Sequence, residues 1–222
     1  MKTTNRISRT VVAGLVLGLF ATIGCDSATA PNEELTTLNT LVSATEINEF
    51  PYEDLTPEET EALVFMREEE KLARDVYIAL YPTLGQRVFN NISASEQRHM
   101  DAIKLLVDKY ELEDPVAVDS VGVFQNETLQ SLYVALVAQG SASLEEGLKV
   151  GALIEEIDIL DLQHDIDDVV DNEDITYVYN NLMHGSYNHL RAFVRNLSRL
   201  GVEYVSQKLS QDVYDAIMAG EL

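Results

Sequence analysis

The stretch NISASEQRHMDAIKLL, residues 91–106, decides how this chain is expected to fold. On a helical wheel of about 100° per residue, six apolar residues in and around it fall within about 40° of Glu96. They are Phe89, Ile92, Met100, Ile103, Val107 and Tyr110. His99 lies about 60° from Glu96 on the same wheel. A carboxylate and an imidazole therefore face the core of a predicted helix, where ionised side chains are rarely left without a partner.

The N-terminal 24 residues have the pattern of a bacterial lipoprotein signal peptide. Basic residues precede an apolar stretch, residues 11–23, which is short for a membrane span. Cys25, the single cysteine, follows small residues as in a lipobox, although Thr22 stands where leucine is usual. We therefore predict that Cys25 is lipidated and anchors an exported protein to a membrane of the bacterial cell envelope.

The alternative is an ordinary signal peptide cut near Ala28 or Ala30, which would discard Cys25. In either case residues 25–54, rich in Ser, Thr, Asn and Glu, are predicted to be a flexible tether. Residues 55–222 are long enough to bury a single core.

The charge of the chain excludes one class of partner. Its 222 residues carry a formal net charge of −23, and removing the signal peptide leaves 12 basic and 38 acidic residues, near −26. Such a field repels nucleic acid and anionic lipid and concentrates cations. We therefore expect no nucleic-acid partner, although much of the acid also serves solubility.

Apolar periodicity and capping signals predict four long helices. They are helix A from Pro57 to before Pro82, helix B from about Gln86 to Tyr110, helix C from about Ser143 to Val170 and helix D from about Glu173 to Leu200. Short helices are expected at about 127–138 and 210–219, and no strand pattern of useful length occurs. The fold class is therefore all-α, an antiparallel four-helix bundle with one long B–C crossover that contains a short helix.

Each long helix turns polar side chains towards the predicted core. The candidates are Glu69 or Glu70 on helix A, Glu96 and His99 on helix B, Glu155 on helix C, and Ser186 with His189 on helix D. Three carboxylates cannot share a dry core at neutral pH without a compensating positive charge. Oxygen and imidazole ligands around a transition metal resolve that conflict, so we predict a metal site.

Simpler roles remain open for individual residues. Ser93 with Glu96 also fits a capping box, and a lone His189 would more often be a hydrogen-bonded core histidine. The run Glu68–Glu70 would usually face solvent. On the helical wheel, Glu69 is the member of this run that lies nearest the centre of the apolar face of helix A. The convergence of acids from separate helices favours the metal site.

Four motifs in order carry a family resemblance. They are MREEEKLARDVY at 66–77, SEQRH at 95–99, GALIEEIDILDL at 151–162 and GSYNHLRAF at 185–193. The segment EKLARDVY is similar to the first-helix pattern Glu-x-x-Ala-Arg-x-x-Tyr of rubrerythrins. The chain resembles the ferritin-like superfamily of di-iron carboxylate proteins, and most closely the domain-of-unknown-function family DUF2202.

The resemblance implies a ferritin-like fold and an iron or manganese site of one or two ions. The implied ligands are Glu70 (rather than Glu69), Glu96, His99, Glu155 and His189. The sequence departs from the di-iron pattern at Ser186, where a glutamate is expected, and Asp158 or Glu156 are the acids that could replace it.

Two functions are consistent with such a site. The first is metal-dependent redox chemistry on oxygen, peroxide or ferrous ion, with no Cys-x-x-Cys module as electron partner. Tyr77 and Tyr187 are candidates for positions near the site, although ordinary core aromatics are the simpler interpretation of both. The second is a non-enzymatic lipoprotein for cation sequestration, stress protection or partner binding. A hydrolase built on Ser186 and His189 lacks the strand-borne nucleophile elbow that such chemistry requires.

Overall fold

The computed structural model describes residues 41–222, and this part of the chain contains seven α-helices and no β-strand. The helices are α1 (Ala44–Glu49), α2 (Pro57–Leu84), α3 (Arg87–Lys109), α4 (Glu127–Gly140), α5 (Leu144–Asp168), α6 (Glu173–Arg199) and α7 (Gln211–Ala219). The prediction of an all-helical fold is confirmed. Helices A, B, C and D correspond to α2, α3, α5 and α6, and the short helix predicted at 127–138 corresponds to α4.

The starts of the long helices follow their sequence signals. Thr56 and Glu59 form a complete capping box at the start of α2, which satisfies amide groups that have no partner inside the helix. The Ser143 hydroxyl accepts a hydrogen bond from the Glu146 amide at 3.1 Å and caps α5, without the return bond from the Glu146 side chain that would complete a capping box. Both helix starts were predicted from the sequence and are confirmed.

The end predicted for helix A is wrong, because α2 continues through Pro82 to Leu84. A proline in the last turn removes one intrahelical hydrogen bond, and the helix tolerates that loss near its end. Gly85 then stops the helix with a φ of 66°, and its amide donates to the Tyr81 carbonyl at 2.8 Å. Glycine adopts this left-handed conformation without steric cost.

The four long helices pack as two hairpins. Helix α2 packs along α3, and α5 packs along α6, with short turns between the partners of each pair. Further contacts join α2 to α5 and α3 to α6, so every long helix faces two others. The interior between them holds large buried side chains, among them Tyr77, Phe89, Tyr179 and Phe193.

The basic side of α2 holds the connection between α3 and α4. Three buried cations on α2 reach this connection: Arg67 bonds to Asp114, Lys71 to the Ser120 carbonyl and Arg74 to Asp119. Asp75 is fully buried beside them and accepts hydrogen bonds from Lys71, from Arg74 and from the Gly122 amide. The crossover is thus fastened to α2 by paired charges, which leaves the opposite side of α2 for the core.

The folded part begins before residue 55. Helix α1 lies inside the segment predicted to be a tether, and Val42 and Ile47 are buried in the core because they are apolar and meet the end of α3. The predicted signal peptide and Cys25 lie outside the described residues. None of the helices in residues 41–222 combines the length and apolar character needed to span a membrane.

Candidate metal centre

Side chains from all four long helices meet in the interior. His99 on α3 brings its Nδ1 atom within 3.1 Å of Glu70 Oε2 on α2 and 2.9 Å of Glu96 Oε2 one turn earlier on α3. His189 on α6 brings its Nδ1 atom within 2.9 Å of Glu96 Oε1 and 3.3 Å of Glu155 Oε2 on α5. All five side chains are buried, with 7% exposure for His189 and 2% or less for the others. Glu96 therefore lies between the two imidazoles.

Several polar atoms of this group have no hydrogen-bond partner. Glu70 Oε1 has no partner, and Glu96 Oε1 and His189 Nδ1 lie 2.9 Å apart as an ion pair whose angles are outside those of a hydrogen bond. Buried polar atoms are normally satisfied, so such a cluster needs an explanation. Ligand atoms of Glu96, His99 and His189 lie within 4.8 Å of one another, a separation that a single metal ion can bridge. The residues present therefore fit a metal.

A glycine that sequence reasoning missed allows the imidazoles to approach. The rings of His99 and His189 are stacked, with centroids 5.3 Å apart and planes inclined by 23°. A Cβ atom added at Gly185 would lie 2.5 Å from His99 Nε2, which is closer than real side chains come. Gly185 thus admits the His99 ring against the backbone of α6. The sequence did contain a signal for this contact, because Gly185 lies in the middle of a predicted helix. A glycine there lowers helix stability, so its presence indicates that another group packs closely against the helix.

The charges in this group balance only in part. Burial raises the pKa of Glu70 to about 7, although His99 acts in the opposite direction. Burial also opposes ionisation of Glu96, but the two imidazoles outweigh it and hold the Glu96 pKa well below its usual range. Burial lowers the pKa of His189, but Glu96 and Glu155 reverse this and raise it to about 10. Protons thus occupy the group, and a metal cation would displace them.

The structure separates Glu69 from Glu70. Glu70 contacts His99, whereas Glu69 neighbours the carboxyl groups of Asp158 and Asp161 on α5. Burial and these two acids raise the pKa of Glu69 well above its usual value. Of the pair, Glu70 alone contacts a histidine of the cluster.

Asp158 and Ser186 form a pair beside the cluster. The Ser186 hydroxyl, fully buried on α6, donates to Asp158 Oδ2, while Asp158 Oδ1 has no partner. Burial, and after it the carboxyl groups of Glu70 and Glu155, raise the pKa of Asp158 well above its usual value. The serine thus orients an acid towards the position where the resemblance implies a glutamate on α6.

Glu156 lies away from the cluster and already has its partners. Its carboxylate accepts hydrogen bonds from the segment that precedes α7. The donors are the hydroxyls of Tyr204 and Ser206 and the amides of Gln207, Lys208 and Leu209. With its oxygens occupied in this way, Glu156 has no free lone pair directed at the cluster.

The two tyrosines differ in the residues that they contact. Tyr77 on α2 donates a hydrogen bond to Glu155 Oε1 at 2.5 Å and is fully buried. Burial and the charge of Glu155 raise the Tyr77 pKa well above its usual value. Tyr187 is also buried, but its ring packs edge-on against the exposed His184.

Of the simpler roles considered for these acids, a structural one occurs for Glu68 but not for Glu96. Glu68, the third member of the acidic run, accepts hydrogen bonds from the amides of Gln125 and Asn126 at 2.6 and 2.9 Å, just before α4 begins. The capping role considered for Ser93 and Glu96 does not occur, because α3 begins six residues earlier than Ser93, at Arg87, and the Ser93 hydroxyl bonds to the Asn90 carbonyl.

A family model described as an uncharacterized protein domain, DUF2202, matches residues 59–221. The chain is 50% identical over 173 residues to uncharacterized protein MJ0754 of Methanocaldococcus jannaschii, and the match covers 78% of this chain and 93% of that protein. It is also similar to the crystal structure of hypothetical protein MJ0754, with a TM-score of 0.74 and 51% identity over 76% of this chain and 96% of that one.

Proposed function

This chain belongs to the DUF2202 family, and we propose that it is a metal-binding protein that holds iron or manganese in its interior. The proposed ligands are Glu70, Glu96, His99, Glu155 and His189. They include the carboxylate and imidazole groups that such ions bind in proteins.

One observation carries the proposal. Ligand atoms of Glu96, His99 and His189 lie within 4.8 Å of one another in the interior, and the carboxyl groups of Glu70 and Glu155 contact the two imidazoles. In the metal-free protein only protons on these side chains balance the buried carboxylates, and a cation could take their place. A metal ion also supplies the positive charge that several buried carboxylates require.

We propose that the four long helices form a ferritin-like four-helix bundle around this centre. The pairing of α2 with α3 and of α5 with α6 supports this architecture, as does the supply of one or two ligands by each long helix. In bundles of this class, inward-facing carboxylates and histidines on facing helices build the metal site.

The chain's own residues would orient the ligands. Tyr77 holds Glu155 through its hydroxyl, and Gly185 sets the approach of His99 to α6. The whole group is buried, so bulk water is excluded. Bound iron would supply electron transfer to or from oxygen, peroxide or a further ferrous ion.

The test is anaerobic reconstitution with Fe²⁺, desalting and metal analysis. We expect retained metal in the parent and about tenfold or greater loss of affinity in His189→Ala. His184→Ala is the matched control, because His184 lies on the same helix but is exposed. A parent that retains neither Fe²⁺ nor Mn²⁺, or an equal effect of the two substitutions, would contradict the proposal.

The acidic composition favours a second candidate, sequestration of cations without turnover. A net charge of −23 raises the local concentration of cations around the protein. Oxygen consumption distinguishes the candidates: an oxidase consumes oxygen over many additions of Fe²⁺, whereas a sequestering protein stops once its site is filled.

We also propose that Cys25 carries a lipid that anchors the protein at the bacterial cell envelope. The lipobox-like sequence before Cys25 supports this. Expression of the full chain and of Cys25→Ser, followed by separation of membrane and soluble fractions, tests it. Equal distribution of the two proteins would contradict the lipid anchor.

A further inference from the structure

A pocket of about 750 Å³ opens between α2 and α5. Its walls carry five acids and one imidazole: Glu58, Glu61, Glu68, Asp161, Asp165 and His164. No lysine or arginine is among the described residues that line it. A cleft with walls of one charge sign focuses the electric field and raises the local concentration of counter-ions. This pocket therefore attracts cations from solvent.

Glu69 lies on α2 beside residues that line this pocket. It directly follows Glu68 and comes one helical turn after Phe65, and both of these residues line the pocket. Glu69 is 6% exposed, and its Oε2 atom has no hydrogen-bond partner. Its acidic neighbours on α5 are Asp161, in the pocket wall, and Asp158, farther in.

The acids of α5 connect the pocket with the metal centre. Glu155, Asp158, Asp161 and Asp165 follow one another at spacings of three, three and four residues, so they lie along one side of the helix about one turn apart. Glu155 belongs to the centre, and Asp161 and Asp165 line the pocket. Asp158 lies between them with Oδ1 unpartnered, as Glu69 Oε2 is. The two unpartnered oxygens thus belong to the residues between solvent and centre.

We propose that Glu69, Asp158 and Asp161 form an outer cation site, a succession of carboxylates along which divalent metal ions pass from the pocket to the buried centre. The three residues are not one set of ligands around a single ion, since the group in the described residues that could hold one is Glu96, His99 and His189. The inference rests on the proposed function, since an entry site requires a centre that it serves. The ion exchanges its water for carboxylate oxygens at this outer site before it reaches the histidines. Carboxylates suit this step, because they bind divalent ions of the iron and manganese class without holding them as imidazole does.

The experiment measures the rate of metal entry separately from the affinity of the centre. Metal-free protein is mixed with excess Co²⁺ in a stopped-flow instrument, and the absorbance of bound Co²⁺ is followed. Titration with Co²⁺ then gives the dissociation constant and the number of ions bound. The variants are Glu69→Gln and Asp161→Asn, and the matched control is Asp167→Asn, an exposed acid on the same helix.

We expect Co²⁺ to associate about tenfold more slowly with each variant, since electrostatic focusing commonly changes association rates by about 10- to 1,000-fold. The dissociation constant of the centre should remain within about threefold of that of the parent. The control should change the rate less than twofold, and added salt should slow the parent more than the variants. Asp161 is partly exposed, so Asp161→Asn tests the proposal even if Glu69→Gln fails to fold.

Other results separate the two proposals. If the parent takes up no Co²⁺, Fe²⁺ or Mn²⁺, the proposed function itself fails. If the parent binds Co²⁺ but both variants associate at its rate, the outer site is refuted while the centre stands. If the variants lose affinity without a slower association, Glu69 and Asp161 belong to the centre itself, and the outer site is again refuted.

Discussion

Glu155 and Glu156 are adjacent on α5, and the structure assigns them opposite tasks. Glu155 contacts His189 and Tyr77 in the interior, whereas Glu156 holds the segment before α7. Replacing each by glutamine preserves size and removes one charge in both cases. We predict that Glu156→Gln lowers the stability of the fold and leaves metal binding intact. Glu155→Gln should instead weaken metal binding and leave the stability of the metal-free protein nearly unchanged.

The expected loss for Glu156→Gln follows from its hydrogen bonds. The buried carboxylate accepts from five donors, three of which are consecutive backbone amides. A glutamine has one acceptor oxygen, and its amide group would face donors, so about two donors lose their partner. Each buried unsatisfied donor costs about 1–3 kcal/mol, which gives a loss of about 3 kcal/mol. For a chain of this size, that corresponds to a Tm lower by about 6–12 °C.

The expected effect of Glu155→Gln appears only when metal is present. The glutamine oxygen still accepts from the Tyr77 hydroxyl, so the metal-free variant should remain within about 1 kcal/mol of the parent. A ligand at about 100 times its dissociation constant stabilises the native state by about 2.7 kcal/mol, or about 5–11 °C in Tm. We expect this increase in the parent and in Glu156→Gln, and its loss in Glu155→Gln.

Thermal unfolding is followed by circular dichroism with and without Mn²⁺. For each of the two variants it measures the Tm of the metal-free protein and the increase in Tm that Mn²⁺ causes. The reasoning is refuted if Glu156→Gln melts at the temperature of the parent, or if it loses the increase with Mn²⁺ while Glu155→Gln keeps it. Either result would mean that the two side chains do not point as the structure has them.

Three further predictions concern the surroundings of the centre. Gly185→Ala should weaken Mn²⁺ binding about tenfold or more in a calorimetric titration, because the new Cβ atom would lie 2.5 Å from His99 Nε2 and push the ring away. An unchanged affinity would contradict this, since it would mean that the His99 ring can move without loss of binding. Asp75→Ala should lower the free energy of unfolding in urea by about 3–5 kcal/mol, since it leaves the buried Lys71 without its carboxylate partner; a loss below about 1 kcal/mol would contradict this role. The pKa of Glu70, raised to about 7, lies above the unfolded value of about 4.3, so its contribution to metal-free stability is lost as pH rises between these values. Mn²⁺ binding should therefore release protons and weaken as pH falls below about 7, which calorimetry in two buffers of different ionisation heat measures; no proton release at pH 6 would contradict it.

Local sequence rules were sufficient for the helices. The boundaries of α3, α4, α5, α6 and α7 lie within two residues of the predicted ones, because capping residues and apolar periodicity depend only on residues of the same helix. Pro82 was the exception, since the cost of a proline depends on how much helix follows it. The inward direction of Glu96, His99 and His189 was also readable, because a helical wheel fixes the side of a helix on which a residue lies.

The choice between neighbouring acids required the tertiary structure. Glu69 and Glu70 differ by about 100° on the wheel, yet both have apolar neighbours, and only the position of α3 decides which one contacts His99. In the same way, Glu156 is buried among apolar residues of α5, but its partners come from a segment some 50 residues later in the chain. A sequence pattern carries no information on such distant partners.

The sequence by itself determined that the chain is helical and that polar groups of four helices turn inward, since both follow from interactions within one helix. The tertiary structure decided which of those polar side chains contact one another. It also decided which carboxylates accept hydrogen bonds from other parts of the chain and which keep a lone pair for a metal ion. Burial and partner geometry govern whether a carboxylate is a structural acceptor or a candidate ligand. Both depend on how the helices pack against one another, and no single helix contains that information.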